Sequence, residues 1–308
     1  MVEERASLSP SEPPRRRHRP SRSRIVARRA VALAVILAGL GALVWFVAFA
    51  VGSIRDGEKK ATPTVAAAPP ELKIIFPEGF TRAQMADRIG AVKEIAREKR
   101  KVNPRLSARA YLRATASSKI PGKFARDGKR RPLEGFLFPS TYVFGPQTTS
   151  RQLVNRQLQA FEDNWAQVDL AYAKSKKLTP YDVLIIASMI EKEVVAPEER
   201  ALVAAVIYNR LHDGMVLGID ATVRYGFDVP GTEPLKESQL NSLNPYNTRK
   251  VPGLTPTPIA NPGLASMQAA AHPAKVDYLF FVRKPDGVHH FFTASEREFE
   301  NYKNAHGF

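Results

Sequence analysis

The sequence predicts an α+β fold behind a single N-terminal transmembrane helix, with a small subdomain followed by a larger mixed helix/β-hairpin domain. An uncharged apolar run near the N-terminus is long enough to span a bilayer. Short strand-like runs alternate with segments of helical periodicity through the rest of the chain. Two alternating apolar runs near the C-terminus flank a Pro-Asp-Gly turn.

The first thirty residues carry nine arginines against three glutamates and almost nothing apolar, so they cannot fold alone. From Ala30 to Ile54 there is no charge, and Val31 to Val51 is nearly all aliphatic or aromatic. Arginines on one flank place the N-terminus in the cytoplasm and the rest of the chain outside. Ala48-Phe49-Ala50 has the pattern of a signal cleavage site, but the apolar run exceeds the roughly 7–15 residues of a signal core. The expectation is therefore a retained anchor at 31–52 after a cytoplasmic tail at 1–30. Residues 53–70, rich in Ala, Pro and Thr, read as a spacer.

Apolar residues make up 44% of the 308, which is enough for a sizeable core. The absence of cysteine excludes disulfides, thiolate metal sites and a cysteine nucleophile. The net charge of +16 is concentrated in the tail and in Lys93 to Arg131, which holds fourteen basic and three acidic residues. An exported position and few interleaved aromatics argue against nucleic acid as the partner of this stretch. It reads either as a solvated face or as a surface attracted to anionic lipid or wall polymer.

Leu72 to Phe76 reads as a strand, and Thr81 as the N-cap of a helix carrying Met85, Ile89 and Val92 on one face. Strand, Glu-Gly turn and helix together resemble half of a LysM-type glycan-binding module. A second helix is expected from about Pro104 through Leu112, followed by a charged connection from Lys119 to Arg131. The aromatic run from Leu133 to Phe144 opens the larger domain as buried structure, either beside a cleft or as ordinary core. Leu153–Trp165, Asp182–Val195 and Glu198–Leu211 show helical periodicity, with Pro197 suited to a first turn. Gly226 to Pro262 is dense in Pro, Gly, Asn and Thr and reads as irregular binding loops. Tyr278–Val282 and Val288–Thr293 form the hairpin.

The helix from Tyr181 to Val195 is apolar almost all round, yet carries Glu191 and Glu193 near its end. At about 100° per residue these two point to nearly opposite sides. Glu191 shares its face with Leu184, Ser188 and Val195, surroundings that desolvate a carboxylate and suit a general acid. A helix-end glutamate paired with a basic residue is the other reading, and the helix alone leaves both open. His289 and His290 lie in a strand and face opposite sides; His212 and His272 lack companions at metal spacing, so no metal site and no cofactor is expected.

Taken in order, LEGFLFPSTYVF, IIASMIEKE, AAVIYNRL, DATVRYG, NPYNTR, GLTPTPIANPG, AAAHP and the YLFFV–HHFFT hairpin resemble the endolytic murein transglycosylases, the YceG-like family. The likeness runs from about Leu72 to Phe292. The family is similar in its core to spore-germination wall hydrolases, which carry a glutamate eighteen residues before an Asn-Arg pair. Glu191 stands at that spacing from Asn209-Arg210 and Glu193 does not, so the resemblance selects Glu191.

The resemblance implies a peptidoglycan lytic transglycosylase, a lyase acting on nascent strands. One carboxyl protonates the oxygen bridging muramic acid and glucosamine, and the muramic acid carbon-6 hydroxyl closes a 1,6-anhydro ring. Such ends terminate strand elongation. Residues 71–131 would then be a LysM-like subdomain with its basic connection, and 132–308 the catalytic domain. Asn209, Asp220, Thr222, Tyr225, Asn247, Thr248 and Asn261 fall at motif positions as candidate substrate contacts, although caps and loop hydrogen bonds are the other common jobs of such residues. The implied partners are peptidoglycan strands, the cytoplasmic membrane and peptidoglycan synthases. Val194, Leu217 to Ala221 and Thr255 depart from the family pattern. A hydrolase using water and a non-catalytic wall-binding protein are the alternatives.

Overall fold

Three threonines start long helices of this protein. In the computed structural model, Thr81, Thr149 and Thr179 each accept a hydrogen bond from the backbone three residues on. The residue at that position, Gln84, Gln152 or Asp182, reaches back to the threonine's own N–H. This reciprocal capping satisfies donors that a helix start otherwise leaves open. The structure describes residue 34 and residues 37–50, 71–116, 120–124 and 130–307. The chain divides into two units, Met1–Ala68 and Pro69–Phe308.

In the first unit, residues 37–50 are helical, and Leu37, Leu40, Leu43, Val44, Trp45, Phe46, Val47 and Phe49 are all exposed. Among the described residues no helix is long and apolar enough to cross a membrane. The expected span at 31–52 is described only in part; the tail at 1–30 and the spacer at 53–70 lie outside the described residues.

The second unit is an α+β assembly of helices and two small sheets. Its elements are β1 (Leu72–Ile75), α1 (Arg82–Arg100), α2 (Ala108–Ala116), β2 (Thr141–Phe144), α3 (Ser150–Trp165), α4 (Ala171–Ser175), α5 (Pro180–Glu193) and α6 (Arg200–His212). There follow α7 (Asp220–Phe227), α8 (Glu237–Leu240), α9 (Leu264–Ala271), β3 (Phe280–Arg283), β4 (His290–Thr293) and α10 (Glu296–His306). β1 pairs antiparallel with β2, Leu72 opposite Phe144 and Ile75 opposite Thr141. β3 pairs antiparallel with β4, Phe280 opposite Thr293 and Arg283 opposite His290.

The aromatic run is core. Phe136 and Leu137 are fully buried, and Phe136 packs edge-on against Phe124 and Phe161, ring centroids 5.1 Å apart in each case. α5 runs through the middle with Val183 to Ile190 all buried, packed against α6 and α9. α2 begins four residues later than the periodicity suggests, because the Arg105 N–H is held by the Pro146 carbonyl and Ser107 supplies the first-turn acceptor. α5 ends two residues early: Val194 is already extended, three residues before Pro197, which opens a short 3₁₀ turn ahead of α6. In the hairpin, Asp286 accepts from the Val288 and His289 N–H groups, while Gly287 takes a positive φ. His289 is exposed and His290 is buried against Glu199, 2.6 Å away.

Candidate active site

The last turn of α5 carries Glu191, half-buried where the helix leaves the core. Two loops converge on it, and a buried carboxylate behind them holds both. Ser188, one turn earlier, donates to the Ile185 carbonyl and accepts from the Ile259 N–H at 3.0 Å, which fastens the segment before α9 to α5. That segment places Gly263 at the N-cap of α9, and the Gly263 N–H donates to Glu191 Oε2 at 3.0 Å. A carboxylate at this end of a helix also meets the positive end of its dipole.

The second loop is the turn between β1 and α1, Pro77-Glu78-Gly79-Phe80. Asn261 grips it. The Gly79 N–H donates to the Asn261 carbonyl, and the Asn261 N–H and side-chain amide both donate to the Phe80 carbonyl. The Lys192 ammonium donates to the Gly79 carbonyl at 3.4 Å. Gly79 has φ +75, a conformation glycine adopts without strain, and a β-carbon there would touch the Glu191 side chain at 3.6 Å. Glu78 beside it projects onto Gly263: a β-carbon on Gly263 would sit 1.8 Å from Glu78 Oε1. Two carboxylates thus meet at one glycine, Glu191 on its N–H and Glu78 over its α-carbon. Partial burial and the neighbouring Glu191 charge push the Glu78 carboxyl above its ordinary value, while Arg200 pulls it down.

The third component is Glu134, buried in the LEGF motif. It accepts from the Arg82 N–H at 2.9 Å, the Asn261 amide at 2.8 Å and the Tyr225 hydroxyl at 3.2 Å. Burial pushes its carboxyl up to about 7, with the three donors restraining the rise. Asn261 in turn accepts from the Leu137 N–H, so one buried amide ties the β1–α1 turn, the LEGF segment and the Gly263 loop together. Gly135, with φ +88, lies where a β-carbon would collide with Pro258 at 2.6 Å, which keeps this junction closed.

Glu193 reaches different neighbours. Burial pushes its carboxyl up, Arg283 and the Ala221 N–H pull it back, and Asp220 adds to the rise. The Glu193 carbonyl also accepts from Arg283. The opposite orientation of the two glutamates expected from the helical period is thus seen in their surroundings.

The other sequence-selected residues fall into three places. Asp220, Thr222 and Tyr225 lie on α7, with Asn247 and Thr248 in the loop beside it. Thr222 and Thr248 are buried and share a 2.8 Å hydroxyl contact. Asn247 is buried and donates to the Gln239, Leu240 and Ser242 carbonyls. Asp220 is exposed and paired with Arg249 at 2.6 Å. Asn261 lies at the Glu191 junction. Asn209 is elsewhere: it donates to the Val276 and Tyr278 carbonyls and lines a cavity of about 640 Å³ with Tyr172, Asp182, Tyr208 and His212. Asp182 is in the first turn of α5, so that cavity is roughly 13 Å along the helix axis from Glu191 and apart from the carboxylate pair.

Sequence reasoning did not find Glu78 or Glu134. Glu134 had a signal, a lone carboxylate inside an apolar aromatic run, which folds into the core only with partners. Glu78 had only its turn, Pro-Glu-Gly, and nothing local relates that turn to α5.

Comparison with known proteins follows the same architecture. A model of the YceG-like family matches residues 52–305. The endolytic murein transglycosylase of Bacillus subtilis (strain 168) is 39% identical over 159 residues, covering 51% of this chain and 44% of that protein. The endolytic murein transglycosylase of Streptococcus pneumoniae (strain ATCC BAA-255 / R6) is 33% identical over 228 residues, 68% of this chain and 40% of that protein. The chain therefore spans less than half the length of these curated relatives. A 2.6 Å crystal structure of a yceG-like protein from Listeria monocytogenes superposes with a TM-score of 0.64 at 30% identity, covering 77% of each chain. With the family model matched over most of its length, this chain belongs to the YceG-like family.

Proposed function

We propose that this protein is an endolytic lytic transglycosylase of peptidoglycan and that Glu191 is its general acid. The observation that carries this reading is the placement of Glu191. It is a half-exposed carboxylate at the end of a buried helix, oriented by the Gly263 N–H, in a chain whose relatives are named endolytic murein transglycosylases. Glu191 protonates the oxygen bridging muramic acid and glucosamine. The muramic acid carbon-6 hydroxyl attacks the anomeric carbon, and the strand ends in a 1,6-anhydro ring. An attacker already attached to the substrate supplies much of the rate through proximity.

Asp220, exposed at the start of α7, is the substrate contact best supported by its accessibility, whereas Tyr225 is half-buried with its hydroxyl on Glu134 and lines the site from within. Thr222, Asn247 and Thr248 shape the loop packed beside α7, Asn261 shapes the Glu191 junction, and Asn209 holds the approach to β3. The order β1–α1–α2–β2, with its two strands antiparallel, supports a LysM-like glycan grip, although β2 lies past the boundary expected at 131, within the stretch expected to be catalytic. The exposed apolar side chains of residues 37–50 support a membrane anchor at 31–52, and the arginine-rich flank supports a second unit outside the cytoplasmic membrane; peptidoglycan synthases are its proposed partners there. A hydrolase using water is the second reading, favoured by the presence of another carboxylate, Glu78, beside the first.

The test compares two near-isosteric variants. Glu191→Gln removes the proton donor, so strand cleavage falls by roughly 10²–10⁴-fold with the melting temperature unchanged. Glu193→Gln faces Arg283 and Ala221 and retains cleavage. Full activity in Glu191→Gln would remove it as the acid.

A further inference from the structure

Glu78 lies outside the helix that carries Glu191 and outside every motif that points to the reaction, yet the fold delivers it to the same glycine. Its turn is fixed from several directions. Asn261 holds Gly79 and Phe80, Glu134 holds the Arg82 N–H, and Lys192 holds the Gly79 carbonyl. The absence of a side chain at position 263 is what lets the carboxylate in, since a β-carbon there would overlap Glu78 Oε1. A surface glutamate with no role would not need this accommodation. Glu78 remains exposed, so a substrate can reach it.

We propose that Glu78 is the second carboxylate of the catalytic centre, taking the proton of the muramic acid carbon-6 hydroxyl while Glu191 protonates the bridging oxygen. This rests on the transglycosylase reading above and assigns its base. The step balances without a co-reactant. The bond from oxygen 6 to hydrogen breaks as oxygen 6 joins the anomeric carbon; the bond from that carbon to the bridging oxygen breaks as the bridging oxygen takes the Glu191 proton. The pair ends with its single proton moved from Glu191 to Glu78 and resets by exchange with solvent. A proton on Glu191 and none on Glu78 is the working state of an acid and a base.

The groups that face Glu78 are Glu191 from α5, Arg200 from α6 and Lys192 through its contact with Gly79. A base that must be ionised and an acid that must be protonated give a rate that falls at both ends of the pH range. The full chain in detergent is assayed on isolated uncrosslinked strands across pH. Wild-type kcat/KM is a bell. Glu78→Gln lowers kcat by roughly 10²–10⁴-fold, leaves KM within about twofold and loses the acidic limb, because no base remains to be protonated. A variant that keeps wild-type kcat and both limbs overturns the proposal. If Glu78→Gln unfolds at lower temperature than wild type, Glu78→Ala assayed with and without formate decides instead. Recovery of turnover by the small carboxylate supports a base, and no recovery overturns it. Anhydro-ended products from wild type with an indifferent Glu78→Gln would sink this assignment alone, whereas hydrolysed wild-type ends would sink the transglycosylase reading itself.

Discussion

At the scale of single residues, position along a helix matters less than what the helix end meets. Glu191 and Glu193 share a turn of α5, yet one is bound by the Gly263 N–H and the other lies among Arg283, Asp220 and Ala221. The helical period predicted that divergence from the sequence. What it did not predict was Glu78, because its approach to Glu191 depends on Asn261 and Glu134, which are distant in sequence from both. Glu134 itself leads to a measurable consequence. Its carboxyl titrates near 4.5 when exposed and about 7 in the fold, where burial opposes its charge. The folded state therefore holds a proton that the unfolded state gives up. The stability this contributes is full below about pH 4.5 and is lost as pH rises through about 7. Glu134→Gln mimics the protonated form and does not titrate. Melting curves across this range should show wild type losing ground to Glu134→Gln as pH rises, and a constant gap between the two would contradict the assignment.

At the scale of elements, the helices with strong local signals were legible and the loops that build the site were not. Thr81 was legible as a cap, and the apolar periods of α3, α5 and α6 located those helices to within a turn. The C-terminal hairpin followed from Pro285-Asp286-Gly287. β2 was hidden in the aromatic run: Tyr142 and Phe144 face the core and Thr141 and Val143 face out, but its partner β1 lies far back in the chain. α7 and α9 are eight residues each, and neither N-cap makes a side-chain capping bond, so no local signal marked their starts. The segment before α9 takes its shape from tertiary contacts, chiefly Ser188 on Ile259. Ser188→Ala would leave the buried Ile259 N–H without its acceptor, a loss of about 1–3 kcal/mol. Denaturant unfolding should register that loss together with a fall in kcat, since the same loop aims Gly263 at Glu191. Unchanged stability would mean the loop is held by other contacts.

At the scale of the whole molecule, the distribution of charge bears on where the protein binds. Arg97, Lys99, Arg100 and Lys101 stand exposed at the end of α1, in the chain's most basic stretch. Exposed charges are screened beyond about 10 Å at 0.1 M salt. Binding of the full chain to wall sacculi should therefore weaken steeply with salt, and neutralising these four residues should flatten that dependence while sparing cleavage of soluble strands. Salt-independent binding would leave them as an ordinary solvated face. The central claim is the chemistry at Glu191, and the new chain ends report it most directly. Isolated glycan strands cut by the full chain in water enriched in oxygen-18 should yield ends one water lighter than hydrolysed ones, closed as 1,6-anhydro rings and free of the label. Reducing ends carrying oxygen-18 would contradict the account.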